Sequence, residues 1–325
     1  MIKIAIVGAG MTGSVLASRL SRNYDVEIFE KSHKPGGRMA TRMRETFSGN
    51  HGAPFFTARS IEFQKFLKPY LDNKILVEWS PDLWGIDKKK QFFNRIWFEP
   101  HFVSIPEMTS LCNSIIGDKN VRYKHEILAI EQVPNGWRLQ TETSVISKIY
   151  DWVIFCTPAP QAIKLVPSTF CKVEVLERVK MSACFSILVE VDEKKVAREE
   201  FITPVESCIS SIVQSTKNLD KNGKKFFVAH ATTEWSENML NYELDEVKKK
   251  LIAEFIYLLD FKRSDLSFVD LHRWRFAFTE NSADELFLID EELAVAACGD
   301  WCLEGNVESA FISGNALSKY FMSCF

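Results

Sequence analysis

Three glycines near the start of the chain have a spacing that suits phosphate binding. Gly8, Gly10 and Gly13 follow the apolar run Lys3–Val7 and precede a segment with apolar residues at helical spacing. Gly8 permits a tight turn, Gly10 lets the backbone approach a pyrophosphate, and Gly13 lets the helix pack on the strand. The start of the helix offers unpaired N–H groups and partial positive charge to a phosphate.

An acidic residue completes this pattern. Glu30 ends a second predicted strand, Asp25–Glu30, where its carboxylate can accept hydrogen bonds from both ribose hydroxyls of a dinucleotide. The order strand, glycine turn, helix, strand and acidic residue predicts the βαβ unit of a doubly wound sheet that binds a dinucleotide.

Two further motifs add to the predicted cofactor site. In Gly36-Gly37-Arg38-Met39, the glycines permit close backbone approach and Arg38 can neutralise a phosphate. Near the carboxyl terminus, Asp300 follows a predicted strand, where it could bind a ribityl hydroxyl, and Val307 begins a helix. The positive end of that helix could face a flavin ring and stabilise the negative charge of its reduced form.

Composition restricts the classes of protein. The chain has 325 residues, with 40 Lys and Arg against 43 Asp and Glu, which gives a net charge of −3. This near-neutral balance lacks the excess of basic residues that binding to nucleic acid or an anionic membrane requires. No apolar run spans a bilayer, and glycines interrupt the apolar amino terminus, which argues against a signal peptide. Eight dispersed cysteines without a C-x-x-C pair predict reduced, mostly buried thiols, no metal site and a cytoplasmic protein.

The coarse pattern predicts helices and strands in alternation. Predicted helices cover residues 61–71, 105–116, 244–259 and 307–321, and predicted strands cover 74–79, 91–98, 152–156, 186–191, 225–231 and 292–297. The run at 152–156 is apolar throughout, as in a strand buried on both faces. We expect residues 1–56, 107–160 and 292–325 to form a Rossmann-like cofactor domain, and 57–106 and 161–291 to form an inserted mixed α+β substrate domain.

Taken together, these motifs resemble the FAD-dependent flavoproteins of the amine-oxidase fold. The resemblance rests on Gly8–Gly13, Gly36–Arg38, Thr157-Pro158-Ala159-Pro160 and Gly299–Gly314. Within that group the chain resembles the bacterial-type renalases over essentially its whole length. That narrower resemblance rests on residues 52–59, 179–181, 230–235, 272–274 and 298–303.

The renalase resemblance implies a non-covalent FAD and an oxidase of 2- or 6-dihydro isomers of NAD(P), with O2 as the second substrate and NAD(P)+ and H2O2 as products. It implies cofactor contacts from both ends and the middle of the chain. These are Gly8, Gly10, Met11, Thr12, Gly13, Glu30, Lys31, Gly37, Arg38, Met39, Gly52, Ala53, Pro54, Phe55, Ile127, Thr157, Pro158, Gly299, Asp300, Val307, Glu308 and Ala310.

Hydride transfer from a dihydropyridine leaves an aromatic ring and removes no proton from the donor carbon, so the site must position a flat ring rather than supply a base. Candidates for the substrate pocket are Phe55, Phe56, His230, Arg273, Trp235 and Trp274. Pro54 and Phe55 stand where the resembled family has Gln and Tyr, so an amide and a phenol of that family's pattern are missing from the expected wall of the site.

Two alternatives stay open. The first is an amine oxidase acting on a small amine, although such enzymes often place a lysine where this chain has Ser186. The second is an FAD-binding protein without catalysis, since the same cofactor motifs would serve it equally well.

Overall fold

The computed structural model describes residues 1–43, 48–192, 200–214 and 224–324. Within these residues, one six-stranded sheet consists of β1 (Lys3–Val7), β2 (Asp25–Glu30), β10 (Val121–Tyr123), β13 (Trp152–Phe155), β19 (Leu288–Asp290) and β20 (Val295–Ala297). The strands lie in the order β10-β2-β1-β13-β20-β19 across the sheet. All neighbouring pairs are parallel except β19 with β20. The predicted doubly wound sheet is therefore confirmed.

Helices cover this sheet as the apolar pattern predicts. Helix α1 (Met11–Leu20) packs against α8 (Val307–Cys324), and their apolar residues form one core with Ile4, Ile6 and Ile154. Every residue of β13 is buried, which confirms the prediction of a strand enclosed on both faces. The opposite face packs against the hairpin of β11 (Ile127–Val133) and β12 (Gly136–Thr141).

Within the described residues, a second sheet has seven strands: β7 (Leu83–Ile86), β8 (Phe92–Asn94), β14 (Lys180–Asp192), β15 (Phe201–Pro204), β16 (Ile209–Gln214), β17 (Lys224–Ala231) and β18 (Leu266–Asn281). They lie in the order β18-β14-β17-β16-β15-β7-β8 across the sheet. Helices α6 (Thr233–Asn238) and α7 (Leu244–Leu259) pack on one face. We call this the helix-covered face and the other, which carries Ser186, His230 and Trp274, the inner face.

Smaller elements join the two sheets. Strands β5 (Phe56–Thr57), β9 (His101–Ser104) and β6 (Leu76–Trp79) form a three-stranded sheet, and β3 (Thr41–Met43) pairs with β4 (Ser48–Asn50). The remaining helices are α2 (Ile61–Asp72), α3 (Thr109–Ile116), α4 (Ala159–Ala162) and α5 (Val173–Arg178). The helix predicted over 105–116 is shorter than expected and begins at Thr109, because a residue that precedes a proline, here Ile105, disfavours the helical conformation.

Residues 57–106, predicted to belong to the substrate domain, contact both the seven-stranded sheet and the helices that cover the six-stranded sheet. Residues 57–106 contribute β7 and β8 to the seven-stranded sheet. The three-stranded sheet, however, packs its Phe102 into a core with Met11, Val15 and Phe311 of the first layer. The division into two domains therefore stays a proposal, with residues 57–82 and 95–106 at their junction.

Three further findings concern the chain as a whole. No helix in the described part of the chain is long and apolar enough to cross a membrane. All eight cysteines are free thiols, four of them buried. Over the described ranges, no group of three or more His, Cys, Asp or Glu side chains is arranged to hold a metal ion.

Candidate functional site

The glycine turn between β1 and α1 has the geometry that phosphate binding needs. Gly8 has φ of +107°, which favours glycine, and a Cβ at Gly13 would collide with the carbonyl oxygen of Gly8. A Cβ at Gly10, by contrast, would meet no atom within 4 Å. The backbone at Gly10 is therefore open to a ligand at the start of α1. Thr12 lies just inside the helix, where its hydroxyl donates to the carbonyl oxygen of Ala310 at 3.0 Å.

Glu30 is held beside this turn. Its carboxylate is almost fully buried and accepts hydrogen bonds from the backbone N–H groups of Ala9 and Ser32, both at 2.8 Å. Each carboxylate oxygen keeps a second lone-pair direction for a ribose hydroxyl. The next residue, Lys31, has an exposed side chain whose Nζ lies 3.8 Å from Oε1 of Glu126.

The second glycine motif packs directly against the first. The N–H of Gly36 donates to the carbonyl oxygen of Ala9 at 2.8 Å, and Gly36 and Gly37 have φ of +120° and +54°. Arg38 then forms a two-bond ion pair with Asp300 and donates to the carbonyl oxygen of Ala277 at 3.1 Å. Two predicted cofactor residues from opposite ends of the chain thus meet, and the side chain of Met39 is buried in the core behind them.

The carboxyl-terminal motif completes this side of the site. Asp300 and Val307, which begins α8, lie near the β1–α1 turn because α8 packs on α1. The carboxylate of Glu308 accepts from the backbone N–H groups of Arg59 and Ser60, both at 2.7 Å. The side chain of this predicted cofactor residue therefore anchors the loop before α2 and leaves only its backbone for a cofactor.

Three other predicted cofactor residues lie at strand ends. Thr157 and Pro158 follow β13 at the carboxyl edge of the six-stranded sheet, and the carbonyl oxygen of Thr157 accepts from the indole N–H of Trp301 at 3.0 Å. Ile127 begins β11 with its side chain in the core, so a backbone contact is what it could offer.

The polar atoms around the site suit a bound FAD. Several buried polar atoms on the elements around it have no hydrogen-bond partner within the described part of the chain, which is unusual for buried polar groups. They include Thr157 Oγ1, Ser182 Oγ, Ser186 Oγ, Thr279 Oγ1 and His51 Nδ1. Together with the open backbone at Gly10 and the free lone pairs of Glu30, they suit a long ligand rich in polar atoms, with the pyrophosphate near Gly10, Gly37 and Arg38.

The loop 52–55 connects the cofactor side to the inner face. A Cβ at Gly52 would collide with the carbonyl oxygen of Arg38, and the N–H of Ala53 donates to that same oxygen at 2.8 Å. Pro54 and Phe55 follow at the outer end of this loop. Phe56, predicted for the substrate pocket, instead packs in the core against Phe63 and Phe102, because it begins β5 and its ring points away from Phe55.

The inner face carries a cluster of three imidazoles and one indole, which we call the histidine cluster: His51, His230, His272 and Trp274. The carbonyl oxygen of His51 accepts from Trp274 Nε1 at 3.0 Å and lies 3.2 Å from His230 Nε2. The ring of His51 stacks on Trp274 with 5.2 Å between centroids, and His272 lies edge-on to both. His230 and His272 flank Ser186 on the two neighbouring strands.

Burial keeps these imidazoles neutral. The pKa of His51 is lowered to about 3 and that of His272 to about 4, chiefly by desolvation and also by the nearby Arg42 guanidinium, while Asp270 opposes the shift. Burial also lowers the pKa of His230, and the hydrogen bonds that its ring makes with the backbone only partly offset this effect. Arg42 pairs with Asp270 at 2.6 Å, so the cluster presents a neutral polar and aromatic surface at pH 7.

Two residues predicted for the substrate pocket, Arg273 and Trp235, lie away from the histidine cluster. Arg273 pairs with Phe185 across the strands, on the helix-covered face, and donates to the carbonyl oxygen of Leu240 at 3.2 Å. Trp235, on α6, contacts Phe185 from that same face. The reason for Arg273 is the two-residue period of a strand, which sends it to the face opposite Trp274.

Sequence reasoning also missed three histidines. His51 and His272 belong to the histidine cluster, and His101 lies in a second aromatic group with Phe55. A signal was present, because His51 immediately precedes Gly52 and His272 stands two residues before Trp274, on the same face of the strand. His101 offered no such signal, since β9 meets Phe55 only through sheet pairing.

With this geometry established, the chain can be compared with known proteins. A family model described as "NAD(P)-binding Rossmann-like domain" matches residues 6–70. A renalase from Mus musculus is 27% identical over 177 residues, which cover 51% of this chain and 49% of the relative. A 4,4'-diapophytoene desaturase from Staphylococcus aureus is 42% identical over 52 residues, or 16% of this chain and 10% of that protein. The chain thus spans about half the length, or less, of these curated relatives.

Solved structures match over nearly the full length. A putative protoporphyrinogen oxidase from Exiguobacterium superposes with a TM-score of 0.76 at 12% identity and covers 98% of both chains. Cyclohexylamine oxidase from Brevibacterium oxydans gives 0.72 at 11% identity, and a putrescine oxidase variant gives 0.72 at 10%, each over 99% of both chains.

The observed architecture agrees with that of the matched structures. The chain has a Rossmann-like fold that is similar to the folds of the solved amine oxidases, with an additional mixed α/β layer over the cofactor side. FAD is the cofactor that this fold and these residues accommodate.

Proposed function

We propose that the chain is an FAD-dependent oxidase that takes hydride from 2- or 6-dihydro isomers of NAD(P) and passes the electrons to O2, giving NAD(P)+ and H2O2. The observation that carries the proposal is the histidine cluster, a neutral surface of imidazoles and an indole over the cofactor side. Such a surface suits a flat, uncharged dihydropyridine ring. The renalase relative supports the same reading.

When bound, FAD would supply the hydride acceptor and the route of electrons to oxygen. The protein's own residues would position the reactants. Trp274 and His51 present stacked rings, and His230 fixes the backbone of His51 through its carbonyl oxygen. Because no proton leaves the donor carbon, positioning is the main catalytic requirement, and neutral imidazoles meet it without repelling a substrate.

A second candidate is oxidation of a small amine, which the structural likeness to cyclohexylamine oxidase and putrescine oxidase favours. Against it, the carboxylate of Asp270 beside the cluster is already paired with Arg42, whose guanidinium also lies 3.0 Å from His272 Nδ1, so this carboxylate is engaged and does not offer a partner to an ammonium group. Ser186 stands where amine oxidases often have a lysine.

The test is anaerobic rapid mixing of the purified FAD-loaded protein with dihydro-NAD isomers and, separately, with simple amines. We expect the flavin absorbance to bleach with an isomer and hydrogen peroxide to form when air is admitted. Bleaching by amines alone would assign the amine-oxidase function. Bleaching by neither would leave an FAD-binding protein without either activity.

Two tryptophans provide a matched pair of variants. Trp274→Phe removes the hydrogen bond from the indole N–H to the carbonyl oxygen of His51. We expect flavin reduction to slow about tenfold, because the ring at position 274 is then held less firmly against the substrate. Trp235→Phe makes the same substitution at a tryptophan on the helix-covered face, and it should leave the rate of flavin reduction unchanged. Equal rates in both variants would remove the histidine cluster from the proposed mechanism.

A further inference from the structure

A second group of aromatic rings lies at the other end of the inner face. We call it the aromatic cluster, and it consists of Phe55, Trp79, Trp97, His101 and Phe201. The ring of His101 lies 4.6 Å from the rings of both Phe55 and Trp97, and Phe55 lies 5.3 Å from Phe201. The cluster joins the three-stranded sheet to strand β15, next to the loop that carries Gly52 and Ala53.

His101 has an unsatisfied polar atom inside this cluster. The side chain is 3% exposed, and its Nε2 has no hydrogen-bond partner in the described part of the chain. Such an atom is unfavourable in an apolar setting unless a ligand or water completes it. The neutral ring offers one donor and one acceptor, so it can pair with a group of either kind.

The cover of this cluster is exposed and apolar. Trp97 contacts His101 yet is 45% exposed, and residues 91–98 all lie at the surface. Close to Trp97 in the sequence, the carboxylate of Glu99 pairs with the exposed side chain of Arg59 at 2.9 Å. Because nearly half of the Trp97 surface is in solvent, its indole covers His101 from the surface side of the cluster.

We propose that the aromatic cluster binds the purine base of the dinucleotide substrate, with the indole of Trp97 moving outward from its present contact with His101 so that the base lies between this indole and the rings of Phe55 and His101. The inference rests on the proposed function for the identity of the ligand. Stacking against aromatic side chains supplies the affinity, and the edge of the base completes the hydrogen bonding of His101 Nε2.

The placement of the two clusters fits one extended ligand. His230 lies on β17 and Phe201 on β15, two strands apart on the inner face, or roughly 10 Å across the sheet. A dinucleotide has two flat rings joined by a flexible pyrophosphate linker. One ring can therefore lie at the histidine cluster while the other lies at the aromatic cluster.

The test measures binding of AMP to the FAD-loaded protein by calorimetry, with ribose 5-phosphate as the matched ligand without a base. We expect saturable binding of AMP alone. Trp97→Ala should weaken it about tenfold, the size of one base–aromatic stack, and His101→Phe should weaken it similarly. Phe98→Ala, at the neighbouring residue that is 90% exposed, should change nothing. Each variant must keep the flavin spectrum of the parent protein.

Three results would overturn the inference: no binding of AMP at millimolar concentration, equal binding of ribose 5-phosphate, or undiminished AMP binding by Trp97→Ala. Because the assay needs no turnover, it separates the two proposals. Loss of AMP binding in Trp97→Ala would uphold the purine site even if no dihydro isomer reduced the flavin. Flavin reduction without AMP binding would uphold the proposed function and refute the purine site.

Discussion

The histidine cluster makes the stability of this protein depend on pH below neutrality. His51 and His272 have folded-state pKa values of about 3 and about 4, whereas an unfolded histidine titrates near 6.5. The unfolded chain therefore binds more protons than the folded chain as the pH falls below about 6.5. Stability is fully present above that pH and is lost progressively toward pH 4.

The size of the effect follows from the two shifts. Lowering the pH from 7 to 5 costs about 2 kcal/mol for each of the two histidines, since one pKa unit is worth about 1.4 kcal/mol. The neighbouring rings lie 4.6 Å apart and share part of their shift, so we expect a combined loss of about 2–4 kcal/mol. That is a large fraction of the ~5–15 kcal/mol by which a typical domain is stable.

The assay is urea unfolding of the FAD-loaded protein, followed by tryptophan fluorescence, at pH 7 and at pH 5. The parent protein should lose the expected free energy, and His272→Gln should lose about half as much. His33→Gln replaces an exposed histidine and serves as the matched control, with the pH dependence of the parent. If His272→Gln kept the full pH dependence, the cluster would not be the origin of the acid sensitivity.

Three more predictions concern the cofactor side and the core. Gly13→Ala should abolish FAD binding, because the new Cβ collides with the carbonyl oxygen of Gly8; a purified yellow protein with bound FAD would contradict this. Glu30→Gln should weaken FAD binding about 10–100-fold by replacing an acceptor of backbone N–H and ribose bonds with an amide, measured by titrating the apoprotein with FAD. An unchanged dissociation constant would count against the ribose assignment. Phe255→Ala should cost about 3–5 kcal/mol in urea unfolding, since this ring is fully buried under the seven-stranded sheet; a loss below ~1 kcal/mol would mean that the core refills the space.

Much of the cofactor side could be predicted because its signals are local. The glycine turn, Glu30 and Arg38 lie within one short stretch, and each has a backbone or charge requirement that few residue types satisfy. Helix α7 was predicted with both of its ends correct, because its apolar stripe repeats at the helical period. Asn135 and Gly136 are residue types typical of a hairpin turn, and both have positive φ.

The substrate side depended on contacts that no local pattern encodes. Trp235 and Trp274 both stand in aromatic motifs, yet they lie on opposite faces of one sheet. The histidine cluster takes His51 from a loop, His230 from β17 and His272 from β18, so its members are far apart in the sequence.

The sequence by itself determined the dinucleotide-binding turn, its acidic partner and the alternation of elements around it, because backbone conformation and periodic burial act within a few residues. Tertiary structure alone decided that Arg38 meets Asp300, that three histidines gather on the inner face, and that His101 lies among aromatic rings. Those contacts are set by the pairing and register of strands remote in the chain. A shift of one residue in that register would send every side chain of a strand to the other face.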